Sequence, residues 1–501
     1  MKHDAPNFSG GSGALPGAAP DETRHVIVAQ PRTRMRTELA ESTTGEESPL
    51  DVVAAVRLED ISRLLDAAPL DAALHGRMLA AARASNDEAA SAAHELALAA
   101  FHMLGAAPRE QLALVLYNVA TVYAIKGRRD AAIRWYRHAL GIDPGLAIAH
   151  QNLAVALERE GLREASCLHR TRAYQLQRVF IEGALGQEQR RILILGTGKG
   201  AGNVPIDALL SRQTTSRIRY AIDYADEAED ASLPPHDLVF NGIGDPDVAT
   251  PLAARLARFS AGCRRPMLNR PEAIERTHRH KTAALLAHVD DVVVPRCVRI
   301  DARPANAHAL ASQLAQSGVA FPILMRPLAT HGGESLELHA SLASLWRAMA
   351  DLDAPCYLTA FHDFRSADGH YRKYRIIYVD REPYPYHLAI SNRWMVHYFS
   401  ADMVEEPWKL DEERRFLADP FATLGQRASE AISAIGRQLD LDYGGMDFAL
   451  TPAGQVLVFE TNATMLTHRE ARSGPLAHKN PYVERIIDAF ERMLLARTGP
   501  F

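Results

Sequence analysis

The sequence predicts a multidomain chain: an all-α N-terminal region, a small α/β domain of mostly parallel sheet, and a stretch of strands and helices that closes on a hairpin. Three observations carry this. From about residue 51 to 187 the chain is rich in Ala, Leu, Arg and Glu, with apolar positions at helical spacing and few β-branched runs. At Arg191 the pattern switches to a short apolar run, Ile192-Leu193-Ile194-Leu195, followed by a glycine-rich turn. Near the C-terminus two apolar runs, 444–450 and 455–462, flank Thr451-Pro452-Ala453-Gly454, the pattern of an antiparallel pair.

A chain of 501 residues is too long for one core and suggests about three or four domains. With 47% apolar and 23% charged residues, collagen-like and wholly disordered chains are excluded. A net charge of -5 and a pI near 6.5 argue against nucleic acid or an anionic membrane as the main partner. Cys167, Cys263, Cys297 and Cys356 lack paired spacing, which predicts reduced thiols in a cytoplasmic protein rather than a disulfide frame or a zinc site. No run of about 18 apolar residues occurs, so no membrane span is expected. The first 50 residues, rich in Gly, Ser, Pro and Thr, read as a disordered tail.

Within the helical region a 34-residue period relates Asn118-Val119-Ala120 to Asn152-Leu153-Ala154, and Gly127 to Gly161. With Tyr123, Ala132, Tyr136, Ala139 and Pro144, the first unit resembles the tetratricopeptide repeat (TPR). The second is weaker, with Ser166 and Arg170 at the Ala132 and Tyr136 positions. Helices before residue 112 fit the register poorly and are expected to be degenerate repeats or caps. The resemblance implies a concave surface for a peptide, a protein partner or a substrate carrier. A helical brace docked on the rest of the chain is the alternative.

The α/β domain is expected over 191–268, with strands at 191–195, 220–223 and 237–241. The motif Gly196-Thr197-Gly198-Lys199-Gly200-Ala201-Gly202 has neither dinucleotide-binding nor P-loop spacing. It predicts a tight turn lining a substrate cleft, then a helix over 204–210. Thr250-Pro251 reads as an N-cap and first helical residue. A helix from Pro271 then hands over to one carrying Lys281, a phosphate contact or part of a solvated basic face. His278 and His280, two apart, diverge on a helix and predict no metal pair.

Strand 321–327 runs into a loop with Gly332-Gly333, adjacent glycines that can fold backbone N–H groups around phosphate oxygens. After strand 356–361, the alternation of 371–379 places Lys373 and Arg375 on one face. In the hairpin, pairing Leu450 with Gln455 sets Asp447 opposite Val458. Asp447, Glu460 and Asn462 then share a face, the two carboxylates being diagonal neighbours roughly 7–8 Å apart. Hard oxygens without His or Cys suit Mg²⁺. A solvated polar face is the alternative, against which the apolar neighbours of these carboxylates speak.

Taken in this order, the Asn241-Gly242 segment, the Lys281 helix, the Pro322-Ile323-Leu324-Met325-Arg326-Pro327 strand with its Gly332-Gly333 loop, Thr359-Ala360-Phe361, Lys373-Tyr374-Arg375, and Asp447 with Glu460-Thr461-Asn462 resemble the ATP-grasp superfamily over about residues 191–480. The resemblance implies a preATP-grasp domain at 191–268 and an α+β ATP-grasp fold at 269–501, in two lobes hinged near 359–361. It implies ATP between the lobes, its adenine against Thr359, Ala360 and Phe361 and its phosphates under Gly332 and Gly333. Lys281 and Arg326 would contact phosphates, and Asp447, Glu460 and Asn462 would hold one or two Mg²⁺ ions. Arg326 stands where lysine is most usual; arginine keeps the charge and can grip phosphate bidentately.

The implied activity is an ADP-forming ligase joining a small carboxylate to an amine or thiol through an acyl phosphate. Arg375 and Arg326 are the implied catalytic cations, Arg375 steadying the acyl phosphate or the incoming carboxylate. His387, Ser391 and Arg393 are candidate acceptor contacts, with core packing as the alternative. Relatives of this kind are often dimers, so a homodimer is one expected assembly. The rival readings are a phosphotransferase of the same fold and a repeat adaptor with a non-catalytic nucleotide domain.

Overall fold

The computed structural model describes residues 58–498, apart from 106, 199–201, 331 and 353. The expected tail, the centre of the glycine turn (Lys199, Gly200, Ala201) and His331 therefore lie outside the described residues.

Seven helices pack in succession: α1 (Leu58–Ala67), α2 (Ala72–Ala84), α3 (Glu88–Leu104), α4 (Arg109–Ile125), α5 (Arg129–Ile142), α6 (Ala147–Arg159) and α7 (Arg163–Leu176). Their shared core includes the buried Trp135, Tyr136 and Leu153. The pairs α2/α3, α4/α5 and α6/α7 are each joined by a short turn and pack closely together. Each turns on a left-handed residue, Asn86 (φ 56°), Gly127 (φ 75°) and Gly161 (φ 77°). The outer two share a motif: His75 Nδ1 lies 2.8 Å from His94 Nδ1, and His150 Nδ1 lies 2.8 Å from His169 Nδ1. In both, the first histidine's Nε2 reaches a proline carbonyl, Pro69 at 3.0 Å and Pro144 at 3.2 Å. α1 packs on α5 through His138 and Asp66, 2.9 Å apart.

The chain then enters a five-stranded sheet ordered β1-β3-β2-β4-β5: β1 (Val179–Glu182), β2 (Arg190–Gly196), β3 (Thr215–Ala221), β4 (Leu238–Asn241) and β5 (Met267–Leu268). β3, β2, β4 and β5 are parallel, while β1 joins the edge antiparallel to β3. The helical region therefore stops before 179, short of the expected 187. The strand placed at 220–223 starts five residues earlier, at Thr215. The glycine turn leads into a short 3₁₀ helix, Ile206–Leu209, rather than an α-helix. Its described residues, Gly196, Thr197, Gly198 and Gly202, are not among those lining the inter-lobe cleft. The Gly198 N–H donates to Asp223 at 3.0 Å, and a Cβ on Gly198 would come within 2.6 Å of the rings of Tyr174 and Tyr224. Those rings stack 5.6 Å apart, so the turn is where α7 docks on the sheet. The N-cap expected at Thr250 is supplied by Asp245, which accepts the Asp247 N–H at 2.8 Å, with Pro246 opening the helix.

Two more sheets follow. β6 (Val292–Val293) crosses to the far one. β7 (Cys297–Ile300), β8 (Ile323–Pro327), β9 (Glu337–His339) and β10 (Cys356–Ala360) form a sheet ordered β7-β10-β8-β9. Helices Ala307–Ser317 and Leu342–Leu352 bury Leu310, Leu314, Leu345 and Met349 against it, giving a lobe with its own core. β11 (Tyr371–Val379), β12 (Glu382–Ser391), β13 (Tyr443–Leu450) and β14 (Val456–Asn462) complete the third sheet, β12-β11-β13-β14-β6. Its core is continuous with that of the first sheet, bridged by helix Asn480–Thr498, whose Phe490 ring lies 6.1 Å from Phe240 and 5.7 Å from Tyr443. The first and third sheets thus form one body, with the β7–β10 lobe set against it.

Candidate active site

The site starts from a row across the third sheet. Arg375 on β11 pairs with His387 on β12 and with Asp447 on β13, and Asp447 faces Glu460 on β14. This differs from the expected register. Leu450 pairs with Val456 rather than Gln455, and a bulge next to Asp447 brings the two carboxylates directly opposite instead of diagonal. The bulge also turns both Phe459 and Glu460 into the cleft. A second bulge follows Arg375 on the β11–β12 side, so the ladder is irregular on both flanks of the row.

Both carboxylates are clamped by cations. Arg375 grips Asp447 bidentately, Nε to Oδ1 at 2.6 Å and Nη2 to Oδ2 at 2.8 Å, and Lys373 Nζ lies 3.2 Å from Oδ2. Arg279 pairs with Glu460, whose Oε2 is also 3.7 Å from Arg326 Nη1. Burial alone would raise both acids, but the surrounding cations outweigh it. Arg375 and Lys373 hold Asp447 well below the usual carboxylate range, and Arg279 and Arg326 hold Glu460 below it as well. Arg326 is the least compensated: burial, then the neighbouring Arg279, push its guanidinium down to about 10, and its buried Nε has no hydrogen-bond partner.

These groups line a cleft between the β7–β10 lobe and the third sheet, with about 1070 Å³ of empty space that includes open solvent. One end is apolar: Leu324, Ala360, Phe361, Trp394 and Phe459. The other holds Arg279, Arg326, Lys373 and Arg375 against Asp447 and Glu460, an excess of two positive charges among the described residues. Gly332 (φ 63°) and Gly333 (φ 82°) form part of the wall in left-handed conformations. Buried positive charge without a counterion is costly. The cleft therefore suits an elongated ligand with a flat apolar head and a polyanionic tail.

Of the expected residues, the structure brings Arg326, Gly332, Gly333, Thr359, Ala360, Phe361, Arg375, Asp447 and Glu460 together around this cleft. Lys281 is not among them. It pairs with Glu275 at the surface, and Arg279, two residues earlier, enters the cleft instead. Two helical positions about 200° apart cannot face the same way. Asn462 lines a smaller adjoining pocket with Asp245, Asp247 and Thr461, and its Oδ1 accepts from the Thr464 N–H and hydroxyl, both at 3.0 Å. Ser391 is buried and accepts from the Arg393 N–H at 3.1 Å; Arg393 is exposed, and neither lines the cleft. His387 is also enclosed rather than cleft-lining. Burial, then Arg375 and Lys479, hold its pKa well below the ordinary imidazole value, and its Nε2 is unpartnered. Trp394, Met395, Val396 and His397, just beyond these three, do reach the cleft. No signal separated the two groups, because a strand's end and the loop after it differ in direction rather than composition.

The residues expected to hold Mg²⁺ fit in chemistry. Asp447 and Glu460 are ionised hard-oxygen donors on facing positions, and Asn462 lies two residues along β14. Among the described residues, no group of three His, Cys, Asp or Glu side chains converges, so the pair depends on an amide or on ligand oxygens to complete a shell.

A link to the first sheet braces the cleft. Asp247 accepts from Tyr357 OH at 2.8 Å and Arg299 Nη1 at 3.0 Å, both on the smaller lobe, and lies 3.2 Å from His278 Nδ1. Among the described residues, no helix is long and apolar enough to cross a membrane.

Neither a family model nor a curated protein matches this chain. Among solved structures it is similar to the ATP-grasp ligase PsnB, complexed with a phosphomimetic variant of its minimal precursor, Mg and ADP (13% identity over 62% of this chain and 100% of that one, TM-score 0.34). It is also similar to a RimK domain ATP-grasp protein from Sphaerobacter thermophilus (16%, 60% and 98%, TM-score 0.35). A third is the D-alanine–D-alanine ligase of Bacillus anthracis (13%, 62% and 97%, TM-score 0.37). Likenesses this distant decide nothing about the chemistry, which rests on the side chains described above.

Proposed function

We propose that this chain is an ATP-dependent ligase of the ATP-grasp type, activating a carboxylate as an acyl phosphate for attack by an amine or thiol. The observation that carries the reading is the cleft's division into an apolar end at the 359–361 strand and a cation-rich end around the facing Asp447 and Glu460. An adenine and a triphosphate have that polarity.

The chain's own residues supply orientation and charge. Arg326, with its unpartnered buried Nε, and Arg279 meet phosphate oxygens, and the Gly332-Gly333 loop covers them. Lys373 and Arg375 gather the developing negative charge of phosphoryl transfer, which is stabilised by preplaced cations rather than by covalent chemistry. Asp447, Glu460 and Asn462 would hold Mg²⁺, which offsets polyphosphate charge when bound. The helical region would serve as a platform for a protein or carrier partner, meeting the first sheet where Tyr174 stacks on Tyr224.

The test is substrate-dependent ADP release over a panel of amino acids and small carboxylic acids, with hydroxylamine present. A hydroxamate is expected, because an acyl phosphate is trapped in that form. ADP release with a stable phosphoester and no hydroxamate would make the protein a phosphotransferase instead.

A further inference from the structure

Asp247 is linked, through one intermediate residue each, to both of the guanidinium groups that meet Glu460. It lies in the helix Pro246–Ala249, after the first sheet's β4, and is not among the residues lining the main cleft. A single oxygen, Oδ1, takes three partners: Tyr357 OH at 2.8 Å, Arg299 Nη1 at 3.0 Å and His278 Nδ1 at 3.2 Å. Two of these partners adjoin a cleft arginine. Tyr357 pairs with Arg326 across the β10–β8 ladder, and His278 immediately precedes Arg279, the first residue of the helix Arg279–Leu285. The His278 ring is held on its other side too, Nε2 lying 3.2 Å from Thr250 Oγ1, which itself donates to the Pro246 carbonyl at 2.8 Å. Burial raises the Asp247 carboxyl, but hydrogen bonds from His278 and Tyr357 outweigh it and keep it below the ordinary carboxylate range. The two arginines repel one another, Arg279 being the charge that most lowers the Arg326 guanidinium after burial. Like charges on separate elements move apart unless those elements are held.

We propose that Asp247 is a positioning residue for the cleft: by holding Tyr357 and His278 on one oxygen it fixes the separation of Arg326 and Arg279, so that both arginines meet one polyphosphate that Asp247 itself never touches. This rests on the ATP reading above. Convergence on a single oxygen favours it over simple bracing of the smaller lobe, for which the bond from Arg299 alone would serve. With a shared anchor, neither arginine can shift without the other.

The test is calorimetric titration of the β,γ-imido analogue of ATP with Mg²⁺ into the full chain, Asp247→Asn, Tyr357→Phe, Arg326→Ala and the Asp247→Asn/Arg326→Ala double variant. Loss of hydrogen bonds to the charged Asp247 predicts about tenfold weaker binding in Asp247→Asn and about threefold in Tyr357→Phe. Because Asp247 acts through the arginines, its replacement should cost about threefold or less once Arg326 is gone. Asp230 supplies the comparison for a carboxylate that only stabilises the fold: it accepts from Tyr220 OH at 2.7 Å and Arg255 Nη1 at 2.8 Å, and it does not line the cleft. Asp230→Asn should leave the affinity unchanged. Undiminished affinity in Asp247→Asn and Tyr357→Phe, the same loss with and without Arg326, or an equal loss in Asp230→Asn would overturn the assignment. Should Asp247→Asn fail to fold, Tyr357→Phe, which removes one hydroxyl and no charge, decides by the same criteria alone and combined with Arg326→Ala. If the unaltered chain does not bind the analogue, the ATP reading itself fails.

Discussion

Asp447 is a buried carboxylate held ionised by its neighbours. Two cations, Lys373 and Arg375, converge on its buried carboxylate, and two guanidinium groups, Arg279 and Arg326, stand over the facing Glu460. Asp447→Asn would leave like charges packed together. Breaking a buried pair from one side costs about 3–5 kcal/mol, so thermal unfolding should begin markedly lower in low salt. Added tripolyphosphate should restore much of the loss, because an anion replaces the missing one. No rescue by the anion would show that the cations are satisfied some other way.

A second residue-scale expectation concerns Glu470. Burial raises its carboxyl, but His468 and Lys479, the latter 2.7 Å away, outweigh that and bring it to about 2. Because the folded value lies below the unfolded one, the stabilisation is complete above the ordinary carboxylate range and disappears as pH falls from about 4.5 towards 2. Glu470→Gln should therefore flatten the acid limb of a melting-temperature profile; an unchanged limb would contradict the pairing. At this scale the sequence identified donors by type and strand parity, which is why Arg375, Asp447 and Glu460 were legible. Arg279 was not, since choosing between two cations on a short helix requires knowing where the helix starts.

Elements set the geometry that parity alone cannot. Asp447 sits on a strand held unusually close to its surroundings: a Cβ on Gly445 would fall 2.7 Å from the Ile376 carbonyl oxygen and 2.7 Å from Met465 Cγ. Gly445→Val should therefore destabilise the sheet by several kcal/mol, on the order of the overpacking and strain costs of a full core. It should also lower nucleotide affinity, both measurable by denaturant titration and calorimetry; a neutral substitution would mean that the sheet yields. The hairpin was legible from its Pro/Gly turn, but its register was not. A bulge adds one residue without changing composition, and here that residue brought the carboxylates face to face. The first part of β3 was hidden for a different reason. Arg217 and Arg219 make its run look solvated, yet Arg217 is buried, and both pair with Asp207 and Glu182. Buried ion pairs mimic surface polarity in a sequence.

At the scale of the molecule, three cores divide the work. The helical units form one, the first and third sheets share another, and the β7–β10 lobe has the third. The order of these parts could be read from composition shifts along the chain. The sharing could not, because the final helix that joins two sheets lies far in sequence from the first of them. The α2/α3 pair lies outside the 34-residue periodicity, and its turn uses Asn86 where those of α4/α5 and α6/α7 use glycine. The smaller lobe leans on the main body through Asp247, Tyr357 and Arg299, so the cleft's width depends on contacts outside it.

The central claim is that this cleft is cationic in order to hold a polyphosphate. The direct measurement is a titration of ATP with Mg²⁺ into the full chain, repeated with Arg326→Ala and at rising salt. The account predicts one-to-one binding that weakens with salt and falls at least tenfold in Arg326→Ala. No binding, or binding indifferent to both the arginine and the salt, would contradict it.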